Sequence, residues 1–217
     1  MRTLFVGDVH GCAAALSALV ARAQPDRIVL LGDLFTKGPD PVGVWKLVEA
    51  WQPDCVLGNH DAKMLRVWDD PEPGRTQSTC RLLPPAAREW LAARPLWLHG
   101  EHAGREWIAV HAGLNPYLGE SATLYPDCYL MRRWPNDLDR SNPFWWQLYR
   151  RPKRVFYGHD ALRGLQMHPQ TVGLDTGCCY GNALSGYVLE TAELFQVTPA
   201  GEPVEPPQRF WLEFEEG

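Results

Sequence analysis

Three short apolar runs in the first sixty residues each end in glycine followed by a polar side chain. Residues 3–6 run into Gly7-Asp8, residues 27–31 into Gly32-Asp33, and residues 54–57 into Gly58-Asn59. Between them, residues 13–23 and 42–51 place apolar side chains at helical spacing. Short β-prone runs read as strands and the longer periodic segments as helices. Strand, loop and helix repeated in this way predict a parallel sheet with crossover helices. Ligands of such sheets bind outside the carboxyl ends of the strands. Glycine there lets the chain turn sharply and leaves room for a ligand. Asp8, Asp33 and Asn59 are therefore expected to converge on one edge.

The second half is patterned differently. Residues 84–94 predict a helix, and residues 96–99 and 107–110 predict strands joined by a turn. Residues 115–152 are irregular and rich in Pro, Trp and Arg. Strands are expected again at 154–157, 171–174, 186–190 and 193–197, the last two as a hairpin around Thr191-Ala192. The stretch after Pro199 is rich in Pro and Glu and reads as a surface strap. Without repeats or a linker-like stretch, the expectation is one domain over residues 1–217. It would have two facing sheets and a cap segment at about 115–152.

Composition narrows the partners. The chain has 217 residues, 45% hydrophobic and 22% charged, which suits a soluble globular domain with a sizeable core. A net charge of -5 argues against long nucleic acid held by its backbone, but not against a small anion at a local site. The six cysteines (Cys12, Cys55, Cys80, Cys128, Cys178 and Cys179) lack zinc-site spacing. They read as reduced thiols that pack like small apolar side chains. No targeting segment and no apolar run of membrane-spanning length is read, so no membrane partner and a cytoplasmic location are expected.

The chemistry is concentrated at the strand ends. Asp8 and His10 lie two residues apart, so side chains at an extended strand end could reach one ion. Asp33 and Asn59 come from the next two strand ends. His111, in Val110-His111-Ala112-Gly113, and His159, in Gly158-His159, follow later strands. One strand-terminal histidine is more often structural than a ligand. Here His10, His60, His111 and His159, four of the seven histidines, all sit in glycine-flanked strand ends. His99, His102 and His168 lack that context and read as turn or surface residues. Mixed imidazole and carboxylate donors suit Mn²⁺, Fe or Zn²⁺ better than Ca²⁺. A carboxylate such as Asp33 can bridge two ions.

In order, Gly7-Asp8-Val9-His10-Gly11, Gly32-Asp33-(x)4-Gly38-Pro39, Gly58-Asn59-His60-Asp61, His111-Ala112-Gly113 and Gly158-His159 resemble the motifs of the metallophosphoesterases related to the Ser/Thr phosphoprotein phosphatases. The resemblance runs from about residue 4 to 190 and takes in Asp175-Thr176-Gly177-Cys178. It implies a four-layer α/β/β/α sandwich, with two mixed sheets facing each other between helices. It also implies two divalent metal ions, Mn²⁺ first, with Fe, Zn, Co, Ni or Mg as alternatives. Asp8, His10 and Asp33 would hold one ion, and Asp33, Asn59, His111 and His159 the other. His60 would be the general acid, with Asp61 beside it.

The sequence departs from the phosphoprotein phosphatases in the second motif, where Thr36 and Lys37 replace an aspartate and an arginine. In the family that aspartate supports the catalytic histidine, so His60 should hold its proton less tightly, with Asp61 as a partial substitute. A neutral residue followed by Lys resembles the ApaH-like phosphatases. ApaH, the bacterial symmetrical diadenosine tetraphosphate hydrolase, also has a neutral residue there but keeps Arg. The resemblance thus implies a nucleoside-polyphosphate hydrolase. The other readings are a Ser/Thr or Tyr phosphoprotein phosphatase, an RNA-cap pyrophosphatase, or a non-catalytic metal or nucleotide binder. Lys37, Asn59 and one of Arg132 and Arg133 are expected to meet phosphate. Trp134, Trp145, Trp146 and Tyr149 could stack on a base or pack as core. Arg150, Arg151, Lys153 and Arg154 form a basic run that reads as a solvated face or an anion attractor.

Overall fold

The computed structural model describes residues 1–71 and 74–206. In chain order it holds β1 (Thr3–Val6), α1 (Ala13–Ala23), β2 (Arg27–Leu30), α2 (Pro41–Trp51), β3 (Asp54–Cys55), α3 (Asn59–Val67), α4 (Arg75–Cys80) and α5 (Pro85–Ala92). There follow β4 (Trp97–His102), β5 (Arg105–Val110), α6 (Asp127–Leu130), α7 (Trp145–Leu148), β6 (Arg154–Tyr157), β7 (Gln166–Met167), β8 (Thr171–Gly173), β9 (Leu184–Val188), β10 (Glu193–Val197) and β11 (Pro203–Val204). One sheet has the order β11-β10-β9-β1-β2-β3 and the other β4-β5-β6-β8-β7. Both are mixed. β1, β2 and β3 pair in parallel, with β9 antiparallel to β1. In the second sheet β5, β6 and β8 are parallel, and β4 and β7 are antiparallel additions.

β1 is buried along its whole length, which is why it reads as an unbroken apolar run rather than an alternating one. Phe5, Val29 and Leu31 face the second sheet and meet Trp107, Phe156 and Leu174 there. The rings of Phe5 and Phe156 stack with centroids 3.8 Å apart. Leu4, Val6 and Leu30 face the other way, onto Leu16 and Leu19 of α1 and Val44 of α2. The outer face of the second sheet, with Ile108, Val110 and Val155, is covered by Tyr129, Trp145 and Tyr149. These four layers are the expected α/β/β/α sandwich.

Local chemistry sets the ends of the elements. Asp40 caps α2 by accepting the Gly43 N–H at 2.7 Å, and Pro41 opens the helix. Both α1 and α2 end in a left-handed glutamine, Gln24 and Gln52. The third strand is shorter than residues 54–57, because beyond Cys55 the chain bends towards Gly58 and enters α3, a helix the sequence pattern did not announce. The strap after Pro199 contributes β11 to the sheet edge beside β10. Its remainder, residues 207–217, lies outside the described residues. No helix among the described residues is long and apolar enough to cross a membrane.

Candidate metal centre

Every expected ligand stands just beyond a strand end, on the edge shared by the two sheets. Asp8 and His10 follow β1, Asp33 follows β2, and Asn59 and His60 open α3. His111 follows β5 and His159 follows β6. Eight described residues other than glycine have positive φ. Four are helix caps or hairpin turns: Gln24, Gln52, Ala103 and Ala192. The other four are His10, Asp33, Lys37 and His159, at φ 45, 56, 71 and 71. Such backbone is costly for these side chains and persists only where surrounding structure enforces it. The enforcement is visible: Asp8 Oδ1 accepts the His159 N–H at 3.0 Å, and Asp33 Oδ1 accepts the His60 N–H at 2.8 Å. Each carboxylate thereby ties its own strand end to another element. Gly58 and Gly158 are required here, because a Cβ at either would collide with Asp33 Oδ1 or Asp8 Oδ1.

The imidazoles are oriented from behind. His111 Nδ1 lies 2.6 Å from the Leu31 carbonyl oxygen and His159 Nε2 lies 3.0 Å from that of Leu130. Each of these nitrogens must donate, which leaves the other nitrogen's lone pair facing inward. Those inward atoms, His111 Nε2 and His159 Nδ1, lie 2.9 and 3.0 Å from Asn59 Oδ1. Three acceptor atoms so close repel one another unless a cation sits among them. Likewise Thr36 Oγ1 lies 3.2 Å from His10 Nδ1, turning Nε2 towards Asp33 Oδ2 at 3.5 Å and Asp8 Oδ2 at 3.9 Å. Donor atoms of His10, Asp33 and His60 all fall within 4.8 Å of one another, as do those of Asp8, Asp33 and His111. Asp33 is common to both groups. The residues thus fit divalent cations in their chemistry. Asp8 sits near both groups, and His60 comes within ligand reach, which its expected role as an acid does not require.

Burial dominates the electrostatics. It raises the carboxyl pKa of Asp8 well above the usual range, helped by neighbouring Asp175 and Asp33, and lifts that of Asp33 to about 7. Burial, with the Lys37 ammonium next, lowers His10 to about 2 and His60 to about 4. At neutral pH the imidazoles are therefore unprotonated donors, and buried carboxylates are crowded together. That is a site in which added positive charge is strongly favoured.

The phosphate-binding candidates separate. Lys37 reaches inward, its Nζ 2.8 Å from His10 Nε2. Arg132 lines the same 410 Å³ cavity, with Nε 3.6 Å from Asp160 Oδ1 and Nη2 donating to the His159 carbonyl at 3.4 Å. Arg133 points elsewhere: it donates to the Asn142 carbonyl and lies over the Phe144 ring. Asp61 is also placed differently from expectation. It is fully buried and accepts the N–H groups of Asp33, Leu34 and Gly58 at 2.7, 3.1 and 3.1 Å. It braces the backbone under the site instead of facing the cavity with His60, and Thr36 is directed to His10. The Trp-rich segment packs as core: Trp145 and Tyr149 are fully buried, and Trp146 stacks between Phe144 and His168. In the basic run, Lys153 pairs with Glu120 at 2.7 Å and Arg151 donates to the Tyr117 carbonyl, away from the cavity. The cavity also contains Asp160, Tyr180 and Asn182, and Asp175 from the Asp175-Thr176-Gly177-Cys178 motif, none of which was given a site role from sequence. Asp175 carried the same signal as Asp8, a carboxylate just past a strand and close to glycine.

Comparison with known proteins agrees with this geometry. The calcineurin-like phosphoesterase family matches residues 1–190. Among curated relatives, a symmetrical bis(5'-nucleosyl)-tetraphosphatase of Pseudomonas putida is 26% identical, covering 89% of this chain and 91% of the relative. One from Pseudomonas entomophila is 28% identical, covering 89% and 92%. Among solved structures, one described as a candidate diadenosine tetraphosphatase superposes with a TM-score of 0.81 at 30% identity, covering 90% of this chain and 92% of that one. The family match spans the whole arrangement of strand ends and ligands described above, so the chain belongs to the calcineurin-like phosphoesterases and is a metal-dependent hydrolase of phosphoric esters or anhydrides.

Proposed function

We propose that this protein hydrolyses bis(5'-nucleosyl) tetraphosphates, with diadenosine tetraphosphate as the reference substrate, and cuts them symmetrically to two nucleoside diphosphates. The observation that carries the reading is one cavity where Asp33 joins two donor groups while Lys37 and Arg132 supply cationic walls. Such a site suits a short polyanion. The names of the relatives point to the same substrate.

Asp8, His10 and Asp33 are assigned to one cation, and Asp33, Asn59, His111 and His159 to the second, with Mn²⁺ as the reference metal. Bound there, two cations would neutralise phosphate oxygens and make water a competent nucleophile at neutral pH. Arg132 offers a planar, forked set of donors to a phosphoryl group, whereas Lys37 offers a point charge. His60 is assigned as proton donor to the leaving phosphate oxygen. It is neutral at pH 7 in the metal-free protein, where burial and then the Lys37 ammonium lower its pKa to about 4, so it must gain a proton in the substrate complex before it can donate. Unpaired thiols throughout the described chain suit a reducing compartment, and we place the reaction in the cytoplasm.

Product analysis with Mn²⁺-loaded protein tests the reading. Conversion of diadenosine tetraphosphate to ADP alone, with little phosphate released from phosphopeptides, supports it. Preferential release of phosphate from peptides overturns it in favour of a phosphoprotein phosphatase. For His60→Asn, metal content should be retained while turnover falls by about 10²–10⁴-fold. The loss should be smaller with p-nitrophenyl phosphate than with an alkyl phosphate, whose poor alkoxide leaving group needs the proton. Equal losses on both substrates would remove His60 from the acid role.

A further inference from the structure

We infer that Tyr180 is the platform on which one nucleobase of the substrate stacks, with Leu162 and Asn182 completing that end of the cavity. The inference rests on the nucleotide reading above and extends it to a specificity-determining residue. The cavity is chemically two-ended. Its deep end holds the buried ligand cluster with Lys37 and Arg132. Its outer end is formed by Ala161, Leu162, Tyr180 and Asn182. The Trp-rich segment is not placed to serve this cavity, because none of its rings lines it. Tyr180 is the one aromatic side chain other than histidine among the described residues lining the cavity, and it is 63% exposed. Leu162 is 89% exposed, which for a leucine at a cavity rim offers apolar surface with nothing of its own to cover.

Tyr180 is also held in place. It ends a single 3₁₀ turn, Cys178–Tyr180, between Gly177 and Gly181, both in left-handed conformation. The Tyr180 N–H donates to the Gly177 carbonyl at 2.9 Å and the Gly181 N–H to that of Cys178 at 3.0 Å. The turn is anchored by Asp175 Oδ1, which accepts the Gly177 N–H at 3.1 Å, and by Thr176 Oγ1, which donates to the Ala183 carbonyl at 2.6 Å. The closed turn fixes where the ring is mounted, so no backbone freedom is lost when a base stacks on it. The Lys37 ammonium lies 5.4 Å from the ring centroid, which places the aromatic surface next to the anion-binding end. A nucleoside 5'-polyphosphate has this same polarity, with charge at one end and a flat base at the other. Only one such platform lines the described cavity, so a single nucleoside end is sensed. Nucleoside tetraphosphates with one base should therefore bind about as well as dinucleotides.

The test compares ligands with and without a base on full-length Mn²⁺-loaded protein. Calorimetry should show ADP binding weakened about 5- to 100-fold by Tyr180→Ala, the range for loss of one base–aromatic stack, with pyrophosphate binding unchanged. In kinetics the same variant should raise KM for diadenosine tetraphosphate by a similar factor and raise KM for ring-free tripolyphosphate much less. Tyr180→Trp should restore both. Equal weakening of ADP and pyrophosphate, or no weakening of either, overturns the platform. If wild-type protein favours the dinucleotide and Tyr180→Ala is silent, the platform fails while the hydrolase reading stands. If wild-type protein shows no preference for the dinucleotide over phosphopeptides, both fail.

Discussion

Arg132 and Arg133 are adjacent and chemically identical, yet the fold gives them opposite jobs. Arg132 stands beside Asp160 at the cavity, and Arg133 is folded back over Phe144. Arg132→Ala should lower kcat/KM on nucleoside polyphosphates by about 10- to 100-fold, the usual cost of losing a charge-assisted hydrogen bond. Arg133→Ala should leave kcat/KM within about twofold and appear only as a modest fall in stability. Steady-state kinetics on the two variants decides between them. The opposite ranking would mean that the segment rearranges on binding. Gly158 makes a sharper case. A methyl group there would collide with Asp8 Oδ1, so Gly158→Ala should keep its circular dichroism spectrum but lose bound Mn²⁺. Metal analysis after dialysis reads this directly.

The irregular segment between β5 and β6 works as a lid on the outer face of the second sheet. Trp145 of α7 is buried among Tyr149 and Tyr157, and its Nε1 donates to the Ala112 carbonyl at 3.0 Å. That bond lies next to His111, so α7 fixes both the core and the loop that carries this histidine. Trp145→Ala should destabilise the protein by about 3–5 kcal/mol through the cavity left behind, measurable by urea unfolding. Metal affinity should fall along with stability, because the His111-Ala112-Gly113 loop loses its support. Strands flanked by glycine were legible from sequence because their apolar runs are buried on both faces. This segment was not, because its rings are spaced with neither helical nor strand periodicity and find their partners on a distant sheet. α3 was missed for a related reason: its N-terminus has glycine in the capping position, and its caps and braces come from Asp61 and Asp33 rather than from a Ser or Asp at the start.

No single sheet contains the centre. Asp8, Asp33 and Asn59 come with the first sheet, and His111 and His159 with the second, so the donors meet only when the two sheets pack through Phe5, Phe156 and Trp107. Metal binding is therefore linked to folding. An excess of Mn²⁺ at 100 times its Kd should stabilise the fold by about 2.7 kcal/mol. The linkage should depend on pH. Asp33 is raised to about 7 in the metal-free fold, so its stabilising contribution is complete below about pH 4 and is lost as pH rises through about 7. A bound cation replaces that proton, so the thermal shift produced by Mn²⁺ should be larger at pH 7.5 than at pH 5.5, and binding near pH 6 should release protons. Calorimetry in buffers of different ionisation enthalpy measures the release. Absence of proton release, with a shift independent of pH, would show that the carboxylates are already ionised.

Asp8, His10, Asp33, Asn59, His60, His111 and His159 could be picked out along the chain because each closes a short apolar strand beside a glycine. That pattern is local: strand burial and the need for a tight turn are both encoded within a few residues. The α/β class and the candidate donor residues followed from the same local rules. Which of two neighbouring arginines faces the substrate, that Asp61 braces backbone while Thr36 orients His10, and that Tyr180 rather than a tryptophan borders the cavity did not follow. These depend on which surfaces meet when two sheets dock and a segment of irregular spacing closes over one of them. Contacts between residues a hundred positions apart, such as His159 and Asn59, are set by that packing, and no short stretch of sequence specifies them.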